Sequence, residues 1–266
     1  MNPESKARLF NFRVQENERV ADGIFRLLLA APYELVSALR PGMFLNLAVP
    51  GNPAHLTRVP LSFAKADAEA CTVEIVYAAV GDATRRLSLM SPGQESTVVG
   101  PLGNGWWLPQ SRQRAIVVAG GVGLPPVVAA ARMLREAGLD VTAVVGAQTE
   151  AKLWQGGLDA LDAMGVEVYV ATDDGTRGYH GFTTGVVQEL LSVGEFGSVL
   201  TCGPTPMMAG VARLAEGAGV PCQASLERMM TCGFGACNTC NVAMRAGGYK
   251  SCCMDGPVFD AGEVAW

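Results

Sequence analysis

Histidine is nearly missing from this chain of 266 residues: His55 and His180 are the only two. A histidine acid–base dyad or a His-rich metal site is therefore unsupported, and both residues sit in loop-like text where a solvated side chain is expected. Charge is also sparse, at 17% of residues, and Asp plus Glu (25) exceed Lys plus Arg (20) for a net charge of −5. That balance argues against a phosphate-backbone partner, so no nucleic acid is expected. No run of about 18 apolar residues is available to span a bilayer. The opening MNPESKARLFNF lacks the long apolar segment of a secretory leader. These absences predict a soluble, cytoplasmic protein with no membrane partner. Serine-nucleophile elbows (G-x-S-x-G), P-loops (G-x-x-x-x-G-K-S/T) and H-E-x-x-H zinc motifs are missing too.

What is present is 49% apolar with 32 glycines, enough to build two or three small domains without disulfides. Up to about residue 107 the text reads as short strands between Gly/Pro turns. The six runs are RLFNFRVQEN, GIFRLLLAA, MFLNLAVP, RVPLSFA, TVEIVYAAV and ESTVVGP. In the fifth, Val73, Ile75, Tyr77 and Ala79 alternate against Thr72 and Glu74, the period of a half-buried strand. Six short antiparallel strands predict a small barrel, because closure removes exposed sheet edges.

After Pro109 the rhythm becomes apolar strand, Gly-rich turn, helix: AIVVAGG, PPVVAAARMLREAG, VTAVVGA, AKLWQGGLDALDAMG, VEVYVATDD, TTGVVQELLSVG, SVLTCGP, TPMMAGVARLAEGAG and VPCQASLE. Near-continuous β-branched runs alternating with helices predict a parallel sheet covered on both faces, a nucleotide-binding architecture. The final stretch is Cys- and Gly-rich and too short to hold a core alone, so it needs a metal or its neighbour. Boundaries fall near 108 and 222.

Of eight cysteines, Cys232, Cys237, Cys240, Cys252 and Cys253 crowd into 22 residues. With no export signal, thiolate metal ligation is the expected use. The spacing from Cys232 to Cys253 is C-x4-C-x2-C-x12-C, and its first part is the plant-type [2Fe–2S] spacing. Zinc is the alternative, though it more often shows two matched C-x2-C pairs. Cys252 and Cys253 cannot easily reach the same iron, so one is a free thiol. Cys71 and Cys222 are expected to pack as small hydrophobes. Cys202 ends a parallel strand, where open α/β sheets bind ligands, with a plain core thiol as the alternative.

Gly120, Gly121 and Gly123 stand between a buried strand and a helix opened by Pro125 and Pro126. Such a turn lets a backbone approach a pyrophosphate, and is also an ordinary connector. VGPLGNGW reads either as a flexible interdomain loop or as a motif. Asp173 and Asp174, after the third parallel strand, either accept from cofactor hydroxyls or cap the next turn.

In order, RVPLS, YAAVGDATRRL, GPLGNGW, GGVGLPP, TCGPTPMM and the cysteine segment resemble the ferredoxin–NADP reductase superfamily over nearly the whole chain. LERMMTCGFGAC with CMDGPVFDAGEVAW is similar more closely to the electron-transfer subunits of NAD-dependent, two-subunit (class 1B) dihydroorotate dehydrogenases. The resemblance implies an FAD-binding six-stranded antiparallel barrel (1–108), an NAD-binding parallel-sheet domain (109–222) and a small [2Fe–2S] domain (223–266). It implies Cys232, Cys237, Cys240 and Cys253 as cluster ligands, since the family's fourth Cys stands two residues before Asp-Gly-Pro, and leaves Cys252 out. For FAD it implies Arg58, Pro60, Leu61, Ser62, the segment of Ile75 and Tyr77, and then Gly81 and Thr84. For NAD(H) it implies Gly120, Gly121 and Gly123, with Cys202 and Gly203 near the nicotinamide. The chain departs from the pattern at Val59, where the superfamily has its flavin-phosphate Arg, and at Asp82 and Ala83. On a strand Arg58 would face the opposite side, unless a bulge re-aims it; Arg85 is a second source of charge.

The expected function is that of an oxidoreductase subunit without a catalytic side chain. Hydride exchange with NADH moves two electrons and a [2Fe–2S] cluster takes one, so a flavin between them is required. The implied partner is an FMN-containing dihydroorotate dehydrogenase catalytic subunit of pyrimidine biosynthesis, in a heterotetramer of two copies each. GAQTEAKLW, with Lys152 its only cation, favours NADH over NADPH. The alternatives are a small flavin and iron–sulfur subunit of a ferredoxin–NADP oxidoreductase or sulfide dehydrogenase, and a non-catalytic module stabilised by zinc or a cluster.

Overall fold

A computed structural model describes residues 7–51 and 57–266. His55 lies outside the described residues. The first layer is an antiparallel sheet of β1 (Arg8–Ala21), β2 (Ile24–Ala30), β3 (Phe44–Leu47), β4 (Val59–Ser62), β5 (Lys65–Asp67), β6 (Thr72–Ala78) and β7 (Glu95–Leu102), in spatial order β4-β3-β7-β1-β2-β6-β5. Each of the six predicted runs is a strand. The count is nevertheless seven: Lys65–Asp67 pairs with β6 after a turn, too short to carry a periodic signal. The ladder joins neither β4 nor β5 to close the ring, and β4 instead packs alongside β6. That seam is where the barrel opens. Inside, Phe12, Leu27, Leu29, Leu45, Leu47, Val73 and Ile75 are at most 2% exposed, each contributing roughly 1.5–3 kcal/mol by burial. Short helices α1 (Tyr33–Val36) and α2 (Asp82–Leu87) flank it.

The second layer is a parallel sheet, β8 (Ala115–Gly120), β9 (Val141–Ala147), β10 (Glu167–Thr172), β11 (Tyr179–His180), β12 (Ser198–Cys202) and β13 (Cys222–Ser225), ordered β11-β10-β9-β8-β12-β13. Helices α3 (Leu124–Glu136), α4 (Gln155–Ala163), α5 (Thr183–Val193) and α6 (Thr205–Gly217) cover it. Every residue of β8 is buried, as the unbroken apolar run requires. Strand order reverses at β8 and β12, so the crevice at their carboxyl ends is the expected ligand position.

The C-terminal segment adds a hairpin of β14 (Asn241–Ala243) and β15 (Tyr249–Ser251) and then β16 (Val258–Asp260). β16 pairs antiparallel with β13, so the segment is joined to the parallel sheet and the expected boundary at 222 falls on the first residue of β13. Val258 and Phe259 are core residues, 2% and 3% exposed. Cys71, expected among small hydrophobes, instead sits half-buried in a turn at φ 54° with its thiol on the Ala68 carbonyl.

Candidate functional site: two clefts and a thiol loop

The barrel seam and the parallel sheet enclose a cleft of about 540 Å³ walled by Val59, Pro60, Leu61, Ser62, Tyr77, Ala78 and Thr84 from the barrel. Cys202, Ser225 and the stretch Leu226–Met230 close its other side. Ser62 and Thr84 thus share a cleft with Cys202, although about 120 residues separate the last two. Tyr77 borders the cleft with its ring 2% exposed, its hydroxyl donating to Asn17 Oδ1 at 3.3 Å. Ile75, 0% exposed, points into the barrel and does not reach the cleft. Gly81 precedes α2, where its N–H donates to Thr84 Oγ1 at 3.0 Å.

Arg58 does not line this cleft. It precedes β4, and its guanidinium donates to Thr97 O and Oγ1 at 2.9 and 3.0 Å. Val59 takes the cleft-facing place. Arg85 donates to the Val80 carbonyl. The cation that does line the cleft is Arg228, which sequence reasoning missed, with Glu227 beside it. Glu227 reaches the open mouth of the cleft, yet crowding by protein raises its carboxyl above the ordinary range. Both stand in the LERMMTCGFGAC stretch, which by itself assigned them no cleft; the return of the chain from β13 brings them here.

A second cleft of about 710 Å³ adjoins the first, sharing Ala78, Val80 and Val122 with it. Gly120 and Gly121 form its floor, with Gly146, Lys152, Asp173 and Thr183 around them. Gly123 lies beneath, packed against the Cys202 carbonyl, and Gly203 at φ 156° packs against Gly120. The two aspartates divide the alternatives between them. Asp173 lines the cleft, whereas Asp174 Oδ1 accepts from Thr176 N–H and Oγ1 at 3.1 and 2.7 Å and so caps the turn. Thr183, first residue of α5 and 4% exposed, has a buried Oγ1 with no partner among the described residues. Lys152 Nζ is held by Gln148 Oε1 at 2.5 Å.

Two residues beyond the first cleft's wall begins the cysteine loop. Gly233, Gly235 and Asn238 adopt φ of 78°, 82° and 54°, which winds the backbone tightly enough to aim N–H groups inward. Ala236 N–H donates to Cys232 Sγ at 3.3 Å and Cys253 N–H to Cys240 Sγ at 3.4 Å. Donation from Thr239 brings the Cys237 thiol down to about 6, toward thiolate at neutral pH. Among the described residues no three His, Cys, Asp or Glu side chains gather as a single metal ion requires. The C-x4-C-x2-C spacing and the N–H groups directed at thiol sulfur suit a binuclear core, which takes two thiolates per iron, better than a tetrahedral zinc ion. Cys252 turns away, its buried thiol donating to the Leu226 carbonyl at 3.2 Å, and burial pushes it up to about 12.

Residues 227–265 match the family of the iron–sulfur cluster binding domain of dihydroorotate dehydrogenase B. A dihydroorotate dehydrogenase B (NAD(+)) electron transfer subunit of Bacillus velezensis is 39% identical over 259 residues, covering 95% of this chain and 97% of the relative. The chain belongs to this family of electron-transfer subunits. The corresponding subunit of Clostridium acetobutylicum is 34% identical, with 95% of each chain covered. Among solved structures, one of an NADH-dependent reduced ferredoxin–NADP oxidoreductase superposes with a TM-score of 0.86 at 30% identity, over 96% of this chain and 89% of that one. An Amycolatopsis cytochrome P450 reductase follows the fold at TM-score 0.68 and 26% identity, over 80% of this chain and 67% of its own. Among the described residues no helix is long and apolar enough to cross a membrane.

Proposed function

We propose that this chain is the NADH-linked electron-transfer subunit of a two-subunit dihydroorotate dehydrogenase, with FAD in the first cleft, NAD(H) in the second and a [2Fe–2S] cluster on Cys232, Cys237, Cys240 and Cys253. The observation that carries it is continuity: the nucleotide cleft opens into the flavin cleft, and the wall Leu226–Met230 of that cleft runs straight into Cys232. Bound together, these groups supply hydride exchange at the flavin and one-electron exchange at the cluster. The residues supply position and dryness. Pro60, Leu61 and Ala78 give apolar walls for a flat ring system, and the orphan Thr183 hydroxyl and Gly121 backbone give polar contacts to a dinucleotide. Cys202, on the wall of the first cleft, stays a neutral thiol because burial pushes it up.

Asp173 favours NADH, since its carboxylate accepts from a ribose 2′-hydroxyl and repels a 2′-phosphate. Met229, Phe234 and Met254, 80%, 53% and 39% exposed, leave an apolar rim beside the thiols. The FMN-containing catalytic subunit docks on this face, two copies of each subunit forming the assembly. The test is the visible spectrum of anaerobically purified protein titrated with NADH, with iron and acid-labile sulfide assayed alongside. Flavin and cluster bands that both bleach are expected. A cluster without flavin, or bands indifferent to NADH, would overturn the reading in favour of a cluster-stabilised binding module.

A further inference from the structure

The thiol loop is held from outside by two asparagines of the barrel. Asn46, on β3 and 1% exposed, donates from Nδ2 to the Cys232 carbonyl at 3.3 Å. Gly233 is pressed so closely against it that a Cβ there would lie 2.6 Å from Asn46 Nδ2. At the other end, Asn104 of the GPLGNG motif donates from its backbone N–H to the Gly256 carbonyl at 2.6 Å, and from Nδ2 to the Met254 and Asp255 carbonyls at 2.9 and 3.2 Å. These carbonyls belong to the turn that directly follows Cys253. The two amides therefore grip the loop beside its first ligand and beside its last.

Asn46 also carries a cost. Its Oδ1 is buried with no hydrogen-bond partner among the described residues, and an apolar side chain at that place on β3 would avoid the penalty. Among the described residues its one side-chain hydrogen bond is the one to the Cys232 carbonyl. In a trans peptide the N–H points opposite the carbonyl, so fixing the Cys232 carbonyl toward β3 turns the Gly233 N–H away from Asn46. The same loop then presents Ala236 N–H to Cys232 Sγ. Phe44, two residues before Asn46, borders the first cleft, so the strand that walls the flavin position also sets the cluster loop.

We propose that Asn46 and Asn104 are positioning residues for the cluster: Asn46 fixes the peptide after Cys232, Asn104 fixes the turn after Cys253, and together they tie the cluster to the flavin-binding barrel. The inference rests on the reading of the four thiols as cluster ligands. Hydrogen bonds to cluster sulfur favour the reduced, more negative state, so a loosened loop lowers the potential.

Asn46→Leu removes the donor and the orphan oxygen together, so folding is expected to hold, and Asn104→Ala alters an exposed loop. In the full chain, both variants are expected to lose iron to a chelator about tenfold faster. Hydrogen exchange should accelerate at residues 231–237 in the first variant and 252–257 in the second. In Asn46→Leu the cluster midpoint should fall by a tenfold shift in one-electron equilibrium, about 59 mV, with NAD+ affinity unchanged in both. Wild-type potential, exchange and iron loss in both variants would overturn the proposal. Wild-type protein without iron and labile sulfide would overturn the thiol reading beneath it, and exchange in the metal-free chain would still report whether the amides hold the loop.

Discussion

Gly121 and Gly123 stand two residues apart at the start of α3, and replacing each by alanine should fail in a different way. A Cβ on Gly123 would lie 2.1 Å from the Cys202 carbonyl oxygen, 2.5 Å from its carbon and 2.8 Å from Gly203 N. All three are backbone atoms of the β12 turn, so no side chain can swing aside. Restoring ordinary contact demands that α3 and β12 separate by roughly an ångström, and overpacking of this kind costs about 1–3 kcal/mol. At about 2–4 °C per kcal/mol for a chain near this size, the apparent melting midpoint should fall by roughly 2–12 °C. Cys202, on the wall of the first cleft, shifts with the turn, so NAD+ should bind at least tenfold more weakly. A Cβ on Gly121 meets nothing within 4 Å, and its cost is the φ of 54°, about 1 kcal/mol. Gly121→Ala should therefore melt within a few degrees of wild type while its methyl intrudes on the second cleft and weakens NAD+ binding. Thermal unfolding of the metal-free chain and calorimetric titration with NAD+ measure both. Gly123→Ala with wild-type midpoint and affinity would refute the close-approach argument.

Cys253→Ala should abolish iron and labile sulfide, whereas Cys252→Ala should retain both, since the Cys252 thiol is spent on the Leu226 carbonyl; metal analysis of the two variants decides. Asp173→Asn removes the charge that opposes a 2′-phosphate, so the ratio of NADPH to NADH affinity should rise about tenfold, read by competition with adenosine 2′,5′-bisphosphate against 5′-AMP. Burial pushes the Cys222 thiol from its ordinary 9.0 up to about 12. Below pH 9 both folded and unfolded forms are protonated and the group adds no pH dependence. Above it only the unfolded thiol ionises, so stability falls by about 1.4 kcal/mol per pH unit until about pH 12. Urea unfolding at pH 8 and pH 10 should accordingly show a smaller alkaline loss in Cys222→Ala than in wild type, and equal losses would contradict the burial argument.

The alternation of Val73, Ile75 and Tyr77, the unbroken apolar run of β8 and the C-x4-C-x2-C spacing were legible along the chain because each is a local rule: strand pleat, double-sided burial, ligand spacing. Those rules determined the layer order, the helices and the cysteine loop. They did not determine which charges face a ligand. Arg58 and Val59 differ by one residue, and it was the approach of β7 that took the guanidinium to Thr97 while the valine lined the cleft. Asp173 and Asp174 read alike until one lined the cleft and the other capped its turn. Glu227 and Arg228 stand in LERMMTCGFGAC and Asn104 in GPLGNGW, but those motifs assign none of these contacts, and Asn46 stands in no motif. Their positions follow from β16 returning to β13 and from the C-terminal segment lying against Asn46 and Asn104, the latter contacts between residues 186 and 150 apart in the chain. Sequence periodicity records what a residue's neighbours on its own element demand, and only the packing of elements from opposite ends of the chain decides what it touches.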